Sequence, residues 1–176
     1  NYLAATKTAT ITINKATPTI GDFNMARTFG SGNFTIDQPS SNSSGAFTYS
    51  VTAGSGIISI SGTTITILSA GSATVQASQA ASGNYLAATK TATITINKAT
   101  PPPLATSQSI FYQKFVSGGT VSFNTIIDNI GTVSRTYVSN NTSIVSIPTA
   151  SPPSASIVAP GKTTIKVTQH ETTNYT

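Results

Sequence analysis

Residues 1–18 read NYLAATKTATITINKATP, and residues 84–101 read the same at every position, an offset of 83. A perfect repeat of that length means that the chain is assembled from copies of one structural unit, and the period of a repeat constrains architecture before any single residue does. Asn174-Tyr175 opens a third occurrence, matching Asn84-Tyr85 at an offset of 90. Between these anchors the copies still align. Gly71, Thr74, Val75 and Gln79 correspond to Gly161, Thr164, Ile165 and Gln169 at the same offset of 90, whereas Ile57-Ile58-Ser59-Ile60 corresponds to Ile144-Val145-Ser146-Ile147 at 87. The second copy therefore carries three extra residues near 148–153. An insertion at that place implies a hairpin or loop tip, where added chain disturbs no packing.

The unit itself reads as short strands with a period of two. Ala92, Ile94 and Ile96 alternate with Thr91, Thr93 and Thr95. Ala73, Val75 and Ala77 alternate with Thr74 and Gln76, which are expected to face solvent. Ile65 and Ile67 point inward from residues 63–68, and Phe47, Tyr49 and Val51 share one face. In the second copy Ile165 and Val167 alternate with Thr164, Lys166 and Thr168. Gly, Ser, Asn and Pro clusters at 38–45, 53–56, 61–62, 70–71 and 80–84 separate the runs. Six or seven such strands per copy predict an all-β fold of two antiparallel sheets packed as a sandwich, with a barrel as the alternative.

Composition supports strands over helices or disorder. The chain of 176 residues holds 32 Thr and 24 Ser, while 38% of its residues are apolar, mainly Ile, Val and Ala. β-branched residues fit a pleated surface and supply the apolar burial that a disordered segment lacks. The nine basic residues, Lys7, Lys15, Arg27, Lys90, Lys98, Lys114, Arg135, Lys162 and Lys166, outnumber four acids but form no run. A nucleic-acid reader concentrates its charge on one face, so no nucleic-acid partner is expected. Cys is absent, which excludes a thiolate metal site. No apolar run approaches the ~20 residues of a spanning helix.

The segments FTYSV, IISISGTTITILSAGSATVQAS and ATITINKATP, in that order, resemble the bacterial immunoglobulin-like domains, in particular the group 2 type of intimin- and invasin-like surface proteins. Thr-rich arrays ending in NKATP are similar also to predicted surface proteins of large DNA viruses. The resemblance implies tandem immunoglobulin-like antiparallel β-sandwiches at a cell surface or virion surface. Its motifs are structural, and they imply a fold without implying a ligand.

Module joints are expected at residues 15–18 and 98–101, because Pro cannot continue a central strand. Residues 1–14 are then the last strand of a preceding module, 15–97 a complete module, and 98–176 a module lacking its last strand. Such a module presents an unpaired apolar edge. It is completed either by continuation of the polypeptide, which the start of the repeat at Asn174-Tyr175 favours, or by a strand from a neighbouring copy. In the second case Leu3, Ala9, Ile11 and Ile13 would form the inter-module or inter-subunit strand.

A search for chemistry finds no catalytic constellation. Asp22, Asp37, Asp128 and Glu171 are spread over different loops, and His170, the only histidine, is expected in solvent where a loop begins. No Gly-x-Ser-x-Gly elbow is present. Lys15 and Lys98 stand at the joints where calcium-bridged modules need carboxylates, and an intramolecular Lys–Asn bond lacks the acids it requires. Neither a cofactor nor a metal is expected. Asn33, Asn42, Asn140, Asn141 and Asn174 satisfy the N-x-[ST] pattern and are candidate glycosylation sites in a pathway that uses them. Tyr2, Tyr85 and Tyr175 recur before the last strand and are expected to plug the end of each sandwich rather than to contact sugar. Phe111, Tyr112 and Phe115 have no counterpart in the first copy. They are expected to pack in a core, with an inter-subunit contact as the alternative.

These features describe a non-enzymatic repeat module of a stalk, fibre or capsid-associated component. Its expected partners are neighbouring modules, copies of itself, or other surface or capsid proteins. The alternatives are an adhesin binding a host glycan or protein through loops such as 38–45 or 147–153, and an accessory module of a carbohydrate-active enzyme.

Overall fold

A computed structural model describes residues 3–104, 112–122, 134–148 and 154–176. The chain divides into two compact units, Asn1–Asn97 and Lys98–Thr176. Among the described residues all regular structure is β, and no helix is long and apolar enough to cross a membrane.

The first unit holds β1 (Met25–Thr28), β2 (Phe34–Thr35), β3 (Phe47–Ala53), β4 (Ile58–Ser61), β5 (Thr64–Ile67), β6 (Gly71–Gln79) and β7 (Ala88–Asn97). They form a four-stranded sheet in the order β1-β7-β6-β3 and a three-stranded sheet in the order β2-β5-β4. This is a sandwich of the immunoglobulin-like kind, in which the chain crosses between the sheets at β1–β2, β2–β3, β3–β4 and β5–β6, while β4–β5 and β6–β7 are neighbours in one sheet. All pairings are antiparallel except one: β1 runs parallel to β7, Met25 opposite Ile94 through Thr28 opposite Asn97. The Asn24 Oδ1 accepts the Thr93 N–H at 2.7 Å and Asn97 O accepts the Phe29 N–H at 2.8 Å, so both ends of the short pair are tied.

Period-two alternation does what the residue order requires. From β6, Ala73, Val75 and Ala77 enter the core; from β7, Ala92, Ile94 and Ile96 meet them, and Ile58 and Ile65 close it from the opposite sheet. Each fully buried isoleucine contributes roughly 1.5–3 kcal/mol. The third layer of contacts is aromatic: Phe23 meets the Tyr49 ring edge-on at 6.2 Å, and Phe47 stacks on Tyr49 at 6.3 Å. Burial pushes the Tyr49 phenol above its ordinary pKa. Arg27, on β1, lies over the Phe34 ring of the other sheet at 4.9 Å. One detail differs from the alternation read in the sequence: Thr74 and Gln76 are half-buried rather than exposed. Ile67 points inward as expected and packs, half-buried, against the core.

The second unit holds β8 (Thr120–Ser122), β9 (Ser134–Ser139), β10 (Val145–Ser146), β11 (Ser154–Ile157) and β12 (Ile165–His170). Its described strands form β10-β11-β8 and β12-β9, all antiparallel. Several backbone contacts of the first unit recur in it. Ile57 O accepts the N–H groups of Leu68 and Ser69, and Ile144 O accepts those of Val158 and Ala159. Gly54 O serves Ile57 and Ile58 as Asn141 O serves Ile144 and Val145. Gly71 at φ +143° and Gly161 at φ +153° each lie where an added Cβ would sit 2.7 Å or 2.6 Å from the Cδ1 of Ile57 or Ile144. The chain between the matching carbonyl and amide is three residues longer in the second unit, and the extra length falls between Ser146 and Ser154.

Candidate functional site

The first unit shows how a module is finished. β7 lies between β6 and β1, with Ala92 opposite Val75, Ile94 opposite Ala73 and Ile96 opposite Gly71. The strand is entered through a small clasp: Ala16 donates to Asn84 O at 2.9 Å and accepts from Leu86 N–H at 2.8 Å, a parallel bridge to Tyr85. The second unit makes the same clasp. Ala99 donates to Asn174 O at 2.9 Å and accepts from Thr176 N–H at 3.0 Å, bridging Tyr175. Tyr85 and Tyr175 are both half-buried at these clasps, while Tyr2 lies outside the described residues.

Beyond the clasp the units part. Among the described residues β12 pairs with β9 alone, so the flank that β6 gives to β7 is open in β12. The consequence is visible in burial: Val75 and Ala77 are 0% exposed, whereas Ile165 and Val167, their counterparts, are only half-buried. The buried Thr163 Oγ1 and Gln169 Oε1 of the same strand segment have no hydrogen-bond partner among the described residues.

Residues 3–14 carry the sequence of residues 86–97 and none of its structure. They join no strand, and Leu3, Ile11 and Ile13 are 96%, 86% and 91% exposed, with Ala9 exposed beside them. Ile94, the copy of Ile11, is 0% exposed. The same twelve-residue sequence is thus built into a sheet in one location and exposed in the other. The end of the segment, Ile13 and Asn14, lines a shallow open hollow with Lys15, Ala16 and Asn84.

The titratable residues stay apart. Asp22 pairs with Lys90 at 2.8 Å and Glu171 pairs with Lys98, both pairs exposed. The hydrogen bond and charge of each lysine hold the partner carboxyl below its ordinary pKa. His170 is the last residue of β12 rather than the start of a loop, exposed, its Nε2 2.9 Å from the Thr136 hydroxyl. Asp37 is exposed, and Asp128 lies outside the described residues, among which no group of three His, Cys, Asp or Glu side chains gathers.

Asn33, Asn42, Asn140 and Asn141 are exposed and Asn174 is half-buried in the clasp. Asn42 Oδ1 accepts from Thr19 N–H at 2.9 Å, Asn141 Oδ1 from Ser143 N–H at 3.0 Å, and Asn140 donates its amide to Thr164. Asn33 has no side-chain bond of this kind among those described. The expected core packing of the second unit's extra aromatics is overturned for two of them. Tyr112 is 89% and Phe115 42% exposed, because neither the strand run nor the aligned core positions of the first unit offer them a place. Phe111 lies outside the described residues.

One structural centre escaped the reading of the sequence. Gln79, 2% exposed, donates its amide to Ser43 O at 2.9 Å and Gly45 O at 3.0 Å and accepts the Ser41 hydroxyl at 2.7 Å. It fastens the loop over 38–45 to the sheet, and Gly45 passes so near that an added Cβ would lie 1.9 Å from Ala80 O. The signal was available: Gln79 continues the inward parity of Ala73, Val75 and Ala77. Compared with known proteins, the sequence matches no family model and no curated protein.

Proposed function

We propose that this chain is a non-enzymatic structural repeat of a long surface protein, a stalk, fibre or capsid-associated component whose work is to span distance and join modules. The observation that carries the reading is the recurrence of one finishing segment, together with the identical clasps at Ala16–Tyr85 and Ala99–Tyr175. A protein selected for a pocket varies the loops around it; here what is repeated is the joint and the strand that follows it. The fastening of residues 38–45 by Gln79 also favours a stiff module over a loop free to adapt to a ligand. The surface location rests on the likeness of the strand motifs to bacterial and viral immunoglobulin-like arrays.

Small-angle scattering on chains of one, two, three and four modules tests it. A spacer increases its maximum dimension by a constant increment per module. Compaction with increasing module number would overturn the spacer reading. Saturable binding of the two-unit chain to a glycan or host-protein array, abolished by substitutions in 38–45, would replace it with the adhesin.

A further inference from the structure

We propose that the first unit is built as a tension clamp: the parallel pairing of its entering and leaving segments, Ala16 with Tyr85 and β1 with β7, makes it resist extension along the polypeptide. The inference goes beyond the spacer reading, which needs length and stiffness but no resistance to pulling. It concerns residues 15–97, which have chain on both sides.

The pairing keeps a single register. The Ala16–Tyr85 bridge, the bond from Thr93 N–H to Asn24 Oδ1 and the ladder from Met25–Ile94 to Thr28–Asn97 all join residues 69 apart in sequence. Bridge and ladder are both parallel. β7 is 10 residues long, roughly 33 Å. Ala16 is tied just before the first residue of that strand, and the chain leaves the unit at its last. Entry and exit thus lie at opposite ends of one strand, so tension on the polypeptide acts along it. The parallel neighbours are then drawn in opposite directions, β1 back toward its start and β7 forward past its end.

Sliding sets the barrier. Ladder bonds run between the strands, evenly spaced in a parallel pair, so β1 cannot slip past β7 without breaking them together. Two strands pulled apart from the same end instead open one bond at a time. The load falls on the ladder and on the bonds that flank it: the two of the clasp, the Thr93–Asn24 bond, and that from Phe29 N–H to Asn97 O at 2.8 Å. Arg27 ties β1 to the other sheet through the Phe34 ring. The clasp is loaded first and has only its two bonds, so it yields first and the β1–β7 pair is the main barrier. β3, separated from β7 by β6, lies outside the loaded pair.

The test pulls the 176-residue chain between introduced thiols, since the sequence contains no cysteine. Lys15→Cys with Asn97→Cys loads the β1–β7 pair in shear. Ser31→Cys with Asn97→Cys grips the same end of both strands, because Ser31 N–H bonds Thr28 O and Thr28 stands opposite Asn97. That second arrangement opens the pair like a zip. All three positions are exposed. In optical tweezers at one loading rate, the shear arrangement should withstand several times the force of the zip arrangement. Forced unfolding follows the unfolding rate, and interactions still intact at the barrier leave that rate unchanged. Val51→Ala, on β3, should therefore lower the midpoint of denaturant unfolding without lowering the shear force, whereas Asn24→Ala should lower the shear force. Equal forces in the two pulling directions would overturn the proposal whatever the behaviour of either variant. A shear force that falls as far with Val51→Ala as with Asn24→Ala would also overturn it.

Discussion

Replacing Gln79 by alanine removes the one polar side chain that is buried among the described residues of the first unit. Three hydrogen bonds go with it, from the amide to Ser43 O and Gly45 O and from the Ser41 hydroxyl to Oε1. At a net ~1 kcal/mol each they amount to about 3 kcal/mol. Ser43 and Gly45 are both half-buried, so water can reach the two freed carbonyls. The expected loss is about 3 kcal/mol, a large share of the stability of a small domain. Gln169 supplies the control at the aligned position. It is half-buried and its amide reaches Pro102 O at 3.4 Å, a single long bond, so Gln169→Ala should cost no more than about 1 kcal/mol. Native-state hydrogen exchange by mass spectrometry resolves the units, because peptides covering 47–53 and 71–79 report the first and 165–170 the second. Loss of protection in β3 and β6 by roughly 3 kcal/mol, with β12 unchanged, is the predicted result. A Gln79→Ala variant within 1 kcal/mol of the parent, or equal to Gln169→Ala, would refute the claim that this amide fastens the loop to the sheet.

Ile94→Ala, at a fully buried position, should destabilise the first unit by about 2–5 kcal/mol, while Ile11→Ala, the same residue in the same twelve-residue sequence, should change it by less than about 0.5 kcal/mol. Exchange in β6 and β7 measures both. Gly45→Ala forces a methyl group onto Ala80 O and should unfold the first unit or cost it at least about 3 kcal/mol, read by the same peptides. In an acid titration followed by NMR, Asp22 and Glu171 should protonate below the ordinary carboxylate range, and Lys90→Ala should return Asp22 to it. With folded-state values depressed, each pair's stabilisation is present above the unfolded carboxylate pKa and lost as pH falls through the lower folded value. Both pairs are solvent-exposed and should weaken in high salt.

The strands were legible because their information is local. Ala73-Val75-Ala77 and Ala92-Ile94-Ile96 carry their own facing, and the repeat aligned Gly71 with Gly161 before either was seen to press on an isoleucine. The parallel pair was not legible. Met25–Thr28 buries only Met25, so four residues show no alternation, and the Asn24 and Phe29 bonds that tie it to β7 are contacts between residues far apart in sequence. Gln79 was hidden for another reason. Polarity argues for solvent, and only its parity within β6 argues inward; the loop that satisfies it lies more than thirty residues away. Tyr112 and Phe115 misled in the opposite sense, since an aromatic residue implies burial but no position in the repeated frame receives them. At the candidate site, sequence identity of 3–14 with 86–97 named the strand, and the edge of β12 became evident only when its burial could be compared with that of β6.

If the second unit is built on the frame of the first, a strand with the sequence that pairs with β6 should also pair with β12. Appending the sequence of residues 87–97 directly after Thr176, the counterpart of Leu86, tests this most directly. Hydrogen exchange at 165–169 should then slow to the rates of the aligned β6 amides, 75–79, with the added isoleucines themselves protected and the mass of the chain monomeric. An appended segment that exchanges freely, leaving β12 as it was, would contradict the account.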